Sequence, residues 1–157
     1  MTYLWHLFRG IIIPKEGGAM KMPLEIDTQM FAPCGMNCMV CYKHCYTKRT
    51  RSPCSGCIAD GTGKPKHCRD CKIKSCTIGK GITYCFDCMD FPCKLIKNLE
   101  KSYNKRYEES LIESSIIAKT QGIEHLMRLH NEKYRCPQCG GILSLHDKVC
   151  SECEKKV

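Results

Sequence analysis

Paired cysteines are the feature that most limits how this chain can fold. Sixteen of its 157 residues are cysteine, and six Cys-x2-Cys steps recur along the chain. Such a step places two sulfurs on one tight turn, where both can bind the same metal ion. The spacing predicts a small, irregular, metal-stapled α+β protein with zinc knuckles. The candidate metal ligands are Cys34, Cys38, Cys41, Cys54, Cys57, Cys71, Cys76, Cys85, Cys88, Cys93, Cys136, Cys139, Cys150 and Cys153, together with Cys45 and Cys68.

Metal binding explains these cysteines better than disulfide bonds do. Disulfides need an oxidising compartment, which is usually reached through a signal peptide. The apolar stretch 3–13 contains His6 and Arg9, precedes Pro14 and is too short to cross a membrane. We therefore expect a cytoplasmic protein with thiolate-bound metal and no membrane partner.

Residues 1–19 are interpreted as a translated leader. Residues 15–20 (KEGGAM) back-translate to a sequence that can contain a ribosome-binding site shortly before the codon of Met20. We expect the native chain to start at Met20, and a genuine N-terminal segment is the alternative. Residues 1–33 then form a leader and a linker.

Residues 34–93 form a predicted cysteine-rich metal-binding domain in which Gly and Pro favour turns over long helices. The domain contains an internal repeat, because Cys68-x2-Cys71-x4-Cys76 recurs as Cys85-x2-Cys88-x4-Cys93. Three sulfurs are one short of a closed tetrahedral site. Each repeat unit therefore takes ligands from elsewhere, or one unit divides its sulfurs between two metals.

Two kinds of metal centre remain open for residues 34–93. Zinc accepts four cysteines at many spacings, and the whole chain then binds about two to four Zn²⁺ ions. The alternative is an iron–sulfur cluster, which cysteine also holds. The run Cys38-x2-Cys41-x3-Cys45 has two of the ferredoxin spacings, but one ligand is missing and Tyr46 stands in place of proline. Zinc is the preferred interpretation.

Residues 94–130 are predicted to be a helical connector. Residues 94–119 contain no Gly or Pro, and Leu95, Leu99, Tyr103 and Tyr107 recur every four residues, which indicates one helix with a packing face. Gly122 marks an interruption, and a second helix is expected over 123–130.

Residues 134–157 are predicted to form a zinc ribbon, with the Cys-Pro-x-Cys-Gly motif at Cys136 and a second pair at Cys150 and Cys153. Glycine suits this motif because the chain turns tightly around the sulfurs. Two such knuckles on a short hairpin bind one structural zinc ion.

The formal net charge of +9 suggests a nucleic-acid partner, but it counts every cysteine as neutral. Metal ligands are thiolates, and four tetrathiolate sites with divalent ions bring the net charge to about +1. Many lysines and arginines lie among the cysteines of residues 41–76, where they can offset thiolate charge. A globally basic protein does not follow.

Several motifs resemble a prokaryotic family catalogued as domain of unknown function 3795. They are Ala32-Pro-Cys-Gly-Met-Asn-Cys-Met-Val-Cys41, Cys54-Ser-Gly-Cys57, Cys71-Lys-Ile-Lys-Ser-Cys76 and Cys85-Phe-Asp-Cys-Met-Asp-Phe-Pro-Cys93. The segment from Gly122 into Cys136 is similar to family members that carry a ribbon. The resemblance implies zinc binding without an established activity. Cys45 and Cys68 fall outside the family's usual cysteine set.

The expected role is a non-catalytic binding module whose metal-stapled loops contact a partner. No phosphate-binding loop or Ser/His/Asp arrangement indicates an enzyme. A protein partner is the preferred expectation. Nucleic acid is the alternative, through a basic patch of Lys48, Arg49, Arg51, Lys64 and Lys66. An iron–sulfur electron carrier is the function of a different class.

Overall fold

Helices, and not strands, make up most of the regular structure of this chain. A computed structural model describes residues 20–46, 52–60 and 63–157, so the predicted leader lies outside the described residues. Within these ranges no β-strand forms, and β-pairing is limited to isolated bridges. The protein is small and helical, and the β part of the predicted α+β class is absent from the part described.

The hairpin of the predicted zinc ribbon is not confirmed. Three antiparallel bridges, Arg135 with Ile142, Leu143 with Cys150 and Val149 with Lys156, stand in its place. Turns occupy residues 137–139, 145–147 and 151–153. Between these turns the chain changes its pairing partner from one residue to the next, so the bridges do not join into a strand.

Apart from residues 47–51 and 61–62, which the structure does not describe, the cysteine-rich part consists mainly of turns, as predicted, with three helices. Helix α1 spans Tyr42–Cys45, α2 spans Lys66–Arg69 and α3 spans Lys72–Lys80. Short 3-10 turns cover Thr28–Met30, Cys38–Val40 and Cys85–Asp87. Helix α3 ends at Gly81, whose φ of 66° places it in the left-handed region that glycine tolerates.

The predicted helix over 94–119 is two helices, α4 (Lys94–Tyr107) and α5 (Leu111–Gln121). The chain breaks because Glu108 adopts a left-handed φ of 56°, and the Ser110 side chain caps α5 by accepting from the N–H of Glu113. Glu100 of α4 accepts from two further N–H groups of the first turn of α5. Helix α6 (Ile123–Lys133) follows Gly122 and ends three residues beyond the prediction.

One cluster of buried side chains connects the segments. It includes Phe31, Val40, Leu126 and Ile142, each at most 1% exposed. A backbone hydrogen bond of 2.9 Å from Leu145 N–H to the Val40 carbonyl also joins the C-terminal segment to the cysteine-rich part. The division into separate domains stays a prediction.

The predicted packing face of α4 is correct for most of its length. Leu99, Tyr103 and Tyr107 pack against the buried cluster. Leu95 is 38% exposed, and Ile96 is buried in its place at 1%. None of the described helices has the length and apolarity to cross a bilayer.

Candidate metal centre

Four C-terminal cysteines converge on one point. All sixteen cysteines are free thiols, and the sulfurs of Cys136, Cys139, Cys150 and Cys153 lie within 4.8 Å of one another. The Sγ–Sγ distance is 3.4 Å between Cys139 and Cys150, and 3.8 Å between Cys136 and Cys153. This group can hold a metal ion.

Two knuckles with the same backbone hydrogen bonds position the four sulfurs. In the first knuckle, Gly140 N–H donates to the Cys136 carbonyl at 2.9 Å, and Cys136 N–H donates to the Gly141 carbonyl at 2.8 Å. In the second knuckle, Glu154 N–H donates to the Cys150 carbonyl at 3.2 Å, and Cys150 N–H donates to the Lys155 carbonyl at 3.0 Å. Each knuckle thus has one bond between residues four apart and one between residues five apart, both around the Cys-x2-Cys step.

A left-handed residue closes each knuckle. Gly140 has a φ of 74° and Glu154 a φ of 58°. The glycine of the Cys-Pro-x-Cys-Gly motif therefore meets a backbone requirement, as the sequence indicated. The same conformation at Glu154 has no glycine signal, so sequence reasoning missed it.

Backbone N–H groups favour the ionised form of at least one thiol. Burial opposes ionisation of Cys136, but the N–H groups of Gln138 and Cys139 lower its thiol pKa to about 7. Burial raises the pKa of Cys150 to about 12, although its sulfur accepts from Glu152 N–H at 3.4 Å. Metal ligation requires deprotonated sulfur. A bound cation would therefore offset the negative charge of the cysteine sulfurs that bind it.

The geometry of the cluster fits a tetrahedral metal ion. Zn–S bonds of about 2.3 Å place tetrahedral sulfurs about 3.8 Å apart, close to the two measured distances. Gly141 passes directly against the sulfurs, because a Cβ built there lies 2.6 Å from Cys150 Sγ and 3.3 Å from Cys139 Sγ. The chain thus leaves space for four sulfurs and an ion but not for another side chain.

The twelve cysteines between Cys34 and Cys93 are less tightly grouped. In the part of the chain that the structure describes, only the C-terminal four bring three or more donor atoms within 4.8 Å of one another. The ligand roles of the twelve, including Cys45 and Cys68, stay predictions.

These twelve thiols influence one another electrostatically in overlapping groups. Burial raises the pKa of Cys34 to about 12, with smaller contributions from Cys57 and Cys71. Burial also raises the pKa of Cys68 to about 11, and the charges of Cys41 and Cys57 contribute.

A third set surrounds Cys85. Burial raises its pKa to about 12, and the charges of Cys93, Cys76 and Cys88 add to the effect. Cys76, the last sulfur of the first sequence repeat, therefore lies near Cys85, as does Cys71.

Basic side chains lie beside several sulfurs, as the sequence predicted. Burial raises the pKa of Cys57, while the charges of Lys74 and Lys64 lower it. The sequence did not predict the contact of Lys80 with a cysteine. Its Nζ donates to Cys88 Sγ at 3.1 Å and pairs with the Asp90 carboxylate at 2.8 Å. Asp90 and then Cys88 raise the pKa of Lys80.

His44 contacts the backbone near the cysteines. Its Nδ1 lies 2.7 Å from the Cys54 carbonyl oxygen. When this nitrogen carries the proton, it donates to the carbonyl and fixes the tautomer of the ring.

Comparison with known proteins identifies a family only for the central part of the chain. No curated protein and no solved structure matches the chain. Residues 30–98 match the family described as "Protein of unknown function (DUF3795)". The match covers every cysteine from Cys34 to Cys93, and the C-terminal cluster lies beyond it.

Proposed function

We propose that this chain is a non-enzymatic zinc-binding module whose metal-bound loops present a surface to a partner protein. The observation that carries the proposal is the convergence of the four C-terminal sulfurs. Four protein ligands fill a tetrahedral coordination sphere and leave no open position for substrate or water. The zinc ion is therefore structural, and it stabilises a segment that has no strands of its own.

The surface around the cysteine-rich loops favours a protein partner. Ile78 is 67% exposed and Met89 is fully exposed. Both residues lie on segments that also carry cysteines, Cys76 in α3 and Cys88 before α4. Contiguous exposed apolar patches are typical of contacts with another protein, and the proposal takes these two side chains as parts of such a patch.

The predicted basic patch has little support among the described residues. Lys64 is buried, and its ammonium donates to the carbonyls of Cys57 and Ala59. Lys66 pairs with Asp70. The remaining patch residues Lys48, Arg49 and Arg51 lie outside the described residues.

Free thiols in such number also suit a reducing compartment, and we propose that the protein is cytoplasmic.

Metal analysis after anaerobic purification tests the zinc assignment. We expect a colourless protein with bound zinc, and loss of one zinc equivalent in the double variant Cys136→Ser/Cys150→Ser. A brown protein with matching amounts of iron and inorganic sulfide would instead establish the iron–sulfur electron carrier.

Binding measurements test the partner class. We expect no measurable affinity for RNA or DNA at low salt, where phosphate contacts are strongest. We also expect the wild type to form a specific complex with a protein from its native cells, and Met89→Asp to weaken that complex. Salt-sensitive nucleic-acid binding would contradict the proposal.

A further inference from the structure

A small cavity lies between α3 and the start of α4, and four cysteines line it. Its volume is about 30 Å³, and its walls include Cys76, Cys85, Cys88, Cys93, Ile82 and Ile96. The two isoleucines provide an apolar wall, which limits the access of water to the sulfurs. The cavity is far from the C-terminal cluster in sequence and shares no residue with it.

Three backbone elements bring these cysteines to the cavity. Cys76 lies within α3, Cys85 begins a 3-10 turn and Cys88 follows that turn. Cys93 precedes the first residue of α4. The N–H of Cys85 donates to the Pro33 carbonyl at 2.9 Å, which fixes the turn against the start of the cysteine-rich segment.

We propose that Cys76, Cys85, Cys88 and Cys93 together bind a second metal ion, with Lys80 as a positioning residue beside the Cys88 sulfur. This assignment explains how a repeat unit with only three cysteines can complete a tetrahedral site. The second unit supplies three sulfurs and takes its fourth from the end of the first unit. Each unit by itself is one ligand short of a tetrahedral site.

Charge balance supports a cation in this cavity. Four thiolates with one divalent ion retain about two negative charges. The Lys80 ammonium lies 3.1 Å from Cys88 Sγ and offsets part of that charge. The same ammonium pairs with the Asp90 carboxylate at 2.8 Å, which holds it beside the Cys88 sulfur.

The cavity between the four cysteines has room for a small group, because its volume of about 30 Å³ corresponds to about two water molecules. The sulfurs are not as close as those of the C-terminal group. Rotation of a cysteine to another staggered rotamer moves its sulfur without moving the backbone, so the four can close around one ion.

The choice of zinc as that ion rests on the proposed function. The experiment therefore separates failure of the shared site from failure of the proposed function. Zinc per folded chain is measured for the wild type, the single variants Cys76→Ser and Cys88→Ser, and the double variant Cys76→Ser/Cys88→Ser. We expect each single variant and the double variant to lose the same one equivalent, because the residues share a site. The matched control Cys88→Ser/Cys136→Ser combines two different sites and is expected to lose two equivalents.

Outcomes that overturn the inference differ from those that overturn the proposed function. Loss of two equivalents in Cys76→Ser/Cys88→Ser, or unchanged zinc in Cys88→Ser, contradicts the shared site. Absence of zinc from the wild type contradicts the proposed function. Circular dichroism of the helices identifies any variant that has not folded.

Lys80→Ala supplies a second test that keeps all four sulfurs. Loss of a group that supports a metal ligand typically weakens metal binding by about 10- to 100-fold. Because Lys80 is partly exposed, we expect an effect near tenfold at this site, measured by competition with a chelator. Lys72→Ala on the same helix is the control. Equal zinc affinity in the Lys80 and Lys72 variants would show that Lys80 has no positioning role.

Discussion

Replacing Gly141 by alanine tests whether the C-terminal sulfurs act as a metal centre. The new Cβ lies 2.6 Å from Cys150 Sγ and 3.1 Å from Glu152 Cβ, well inside van der Waals contact. The sulfur cannot move away freely, because Glu152 N–H donates to it and the other three sulfurs surround the same point. The alanine therefore displaces a metal ligand.

The expected magnitude follows from the cost of overpacking. Extra methyl or methylene groups in tightly packed sites cost about 1–3 kcal/mol. At about 1.4 kcal/mol for each factor of ten, zinc affinity falls by about five- to 150-fold. Competition with a chromogenic chelator measures this change directly.

A second glycine provides the control for Gly141→Ala. Gly79 lies in α3, and no atom lies within 4 Å of a Cβ built there. Gly79→Ala should stabilise the helix by about 0.5–1 kcal/mol and leave the affinity of the C-terminal site unchanged. If Gly141→Ala binds zinc as tightly as the wild type, the four sulfurs do not define the ion's position, and the reasoning fails.

Four further substitutions test interactions that hold the helices. Glu109→Ala leaves the buried Tyr134 hydroxyl without its acceptor and should lower the free energy of unfolding by about 1–3 kcal/mol. Lys133 is the half-exposed partner of Glu109, and Lys133→Ala should lower the free energy of unfolding by less than about 1 kcal/mol. Denaturant titration measures both variants, and equal losses for Glu109→Ala and Lys133→Ala would contradict the greater importance of the tyrosine contact. Glu100→Ala removes the acceptor at the start of α5 and should cost about 1 kcal/mol, so unchanged stability would exclude the cap. Glu108→Gly relieves a left-handed φ of 56° and should raise the free energy of unfolding by up to about 1 kcal/mol. A lower free energy of unfolding would show that Glu108 is not strained.

The C-terminal cluster was predictable because its geometry is local. Each pair of sulfurs lies on one turn, and the glycine after Cys139 marks the left-handed residue that the turn needs. Only one long-range step, the meeting of two knuckles, had to be inferred. The strands of a hairpin are the part of that prediction that is not confirmed, because pairing in this segment is limited to isolated bridges.

The break between α4 and α5 was harder to predict. No Gly or Pro stands between Tyr107 and Leu111, and the four-residue spacing of the stripe continues through the break. The available signal was Ser110 with Glu113 three residues later, a typical helix start. The fold also uses Glu100 from the preceding helix as a cap, and such a tertiary contact leaves no local pattern.

The partition of the central cysteines could not be read from the repeat. Equal spacing in the two units predicts equal local structures, but Cys71 precedes a helix whereas Cys88 precedes a loop. The side chains that follow each cysteine decide the backbone path, and the path decides which sulfurs meet. Spacing identifies residues that can bind metal, but not the residues with which they share it.

The buried lysine of the central region links the charge of the chain to its sulfurs. Lys64 is 6% exposed, and burying an ammonium is costly unless negative charge and hydrogen bonds compensate it. The carbonyls of Cys57 and Ala59 supply hydrogen bonds but no formal charge. Lys64 also lies near the Cys57 sulfur and lowers the pKa of that thiol against the larger effect of burial. If Cys57 binds a metal ion as the proposed function requires, its thiolate would supply the missing charge, and part of the formal positive charge of the chain would offset thiolates.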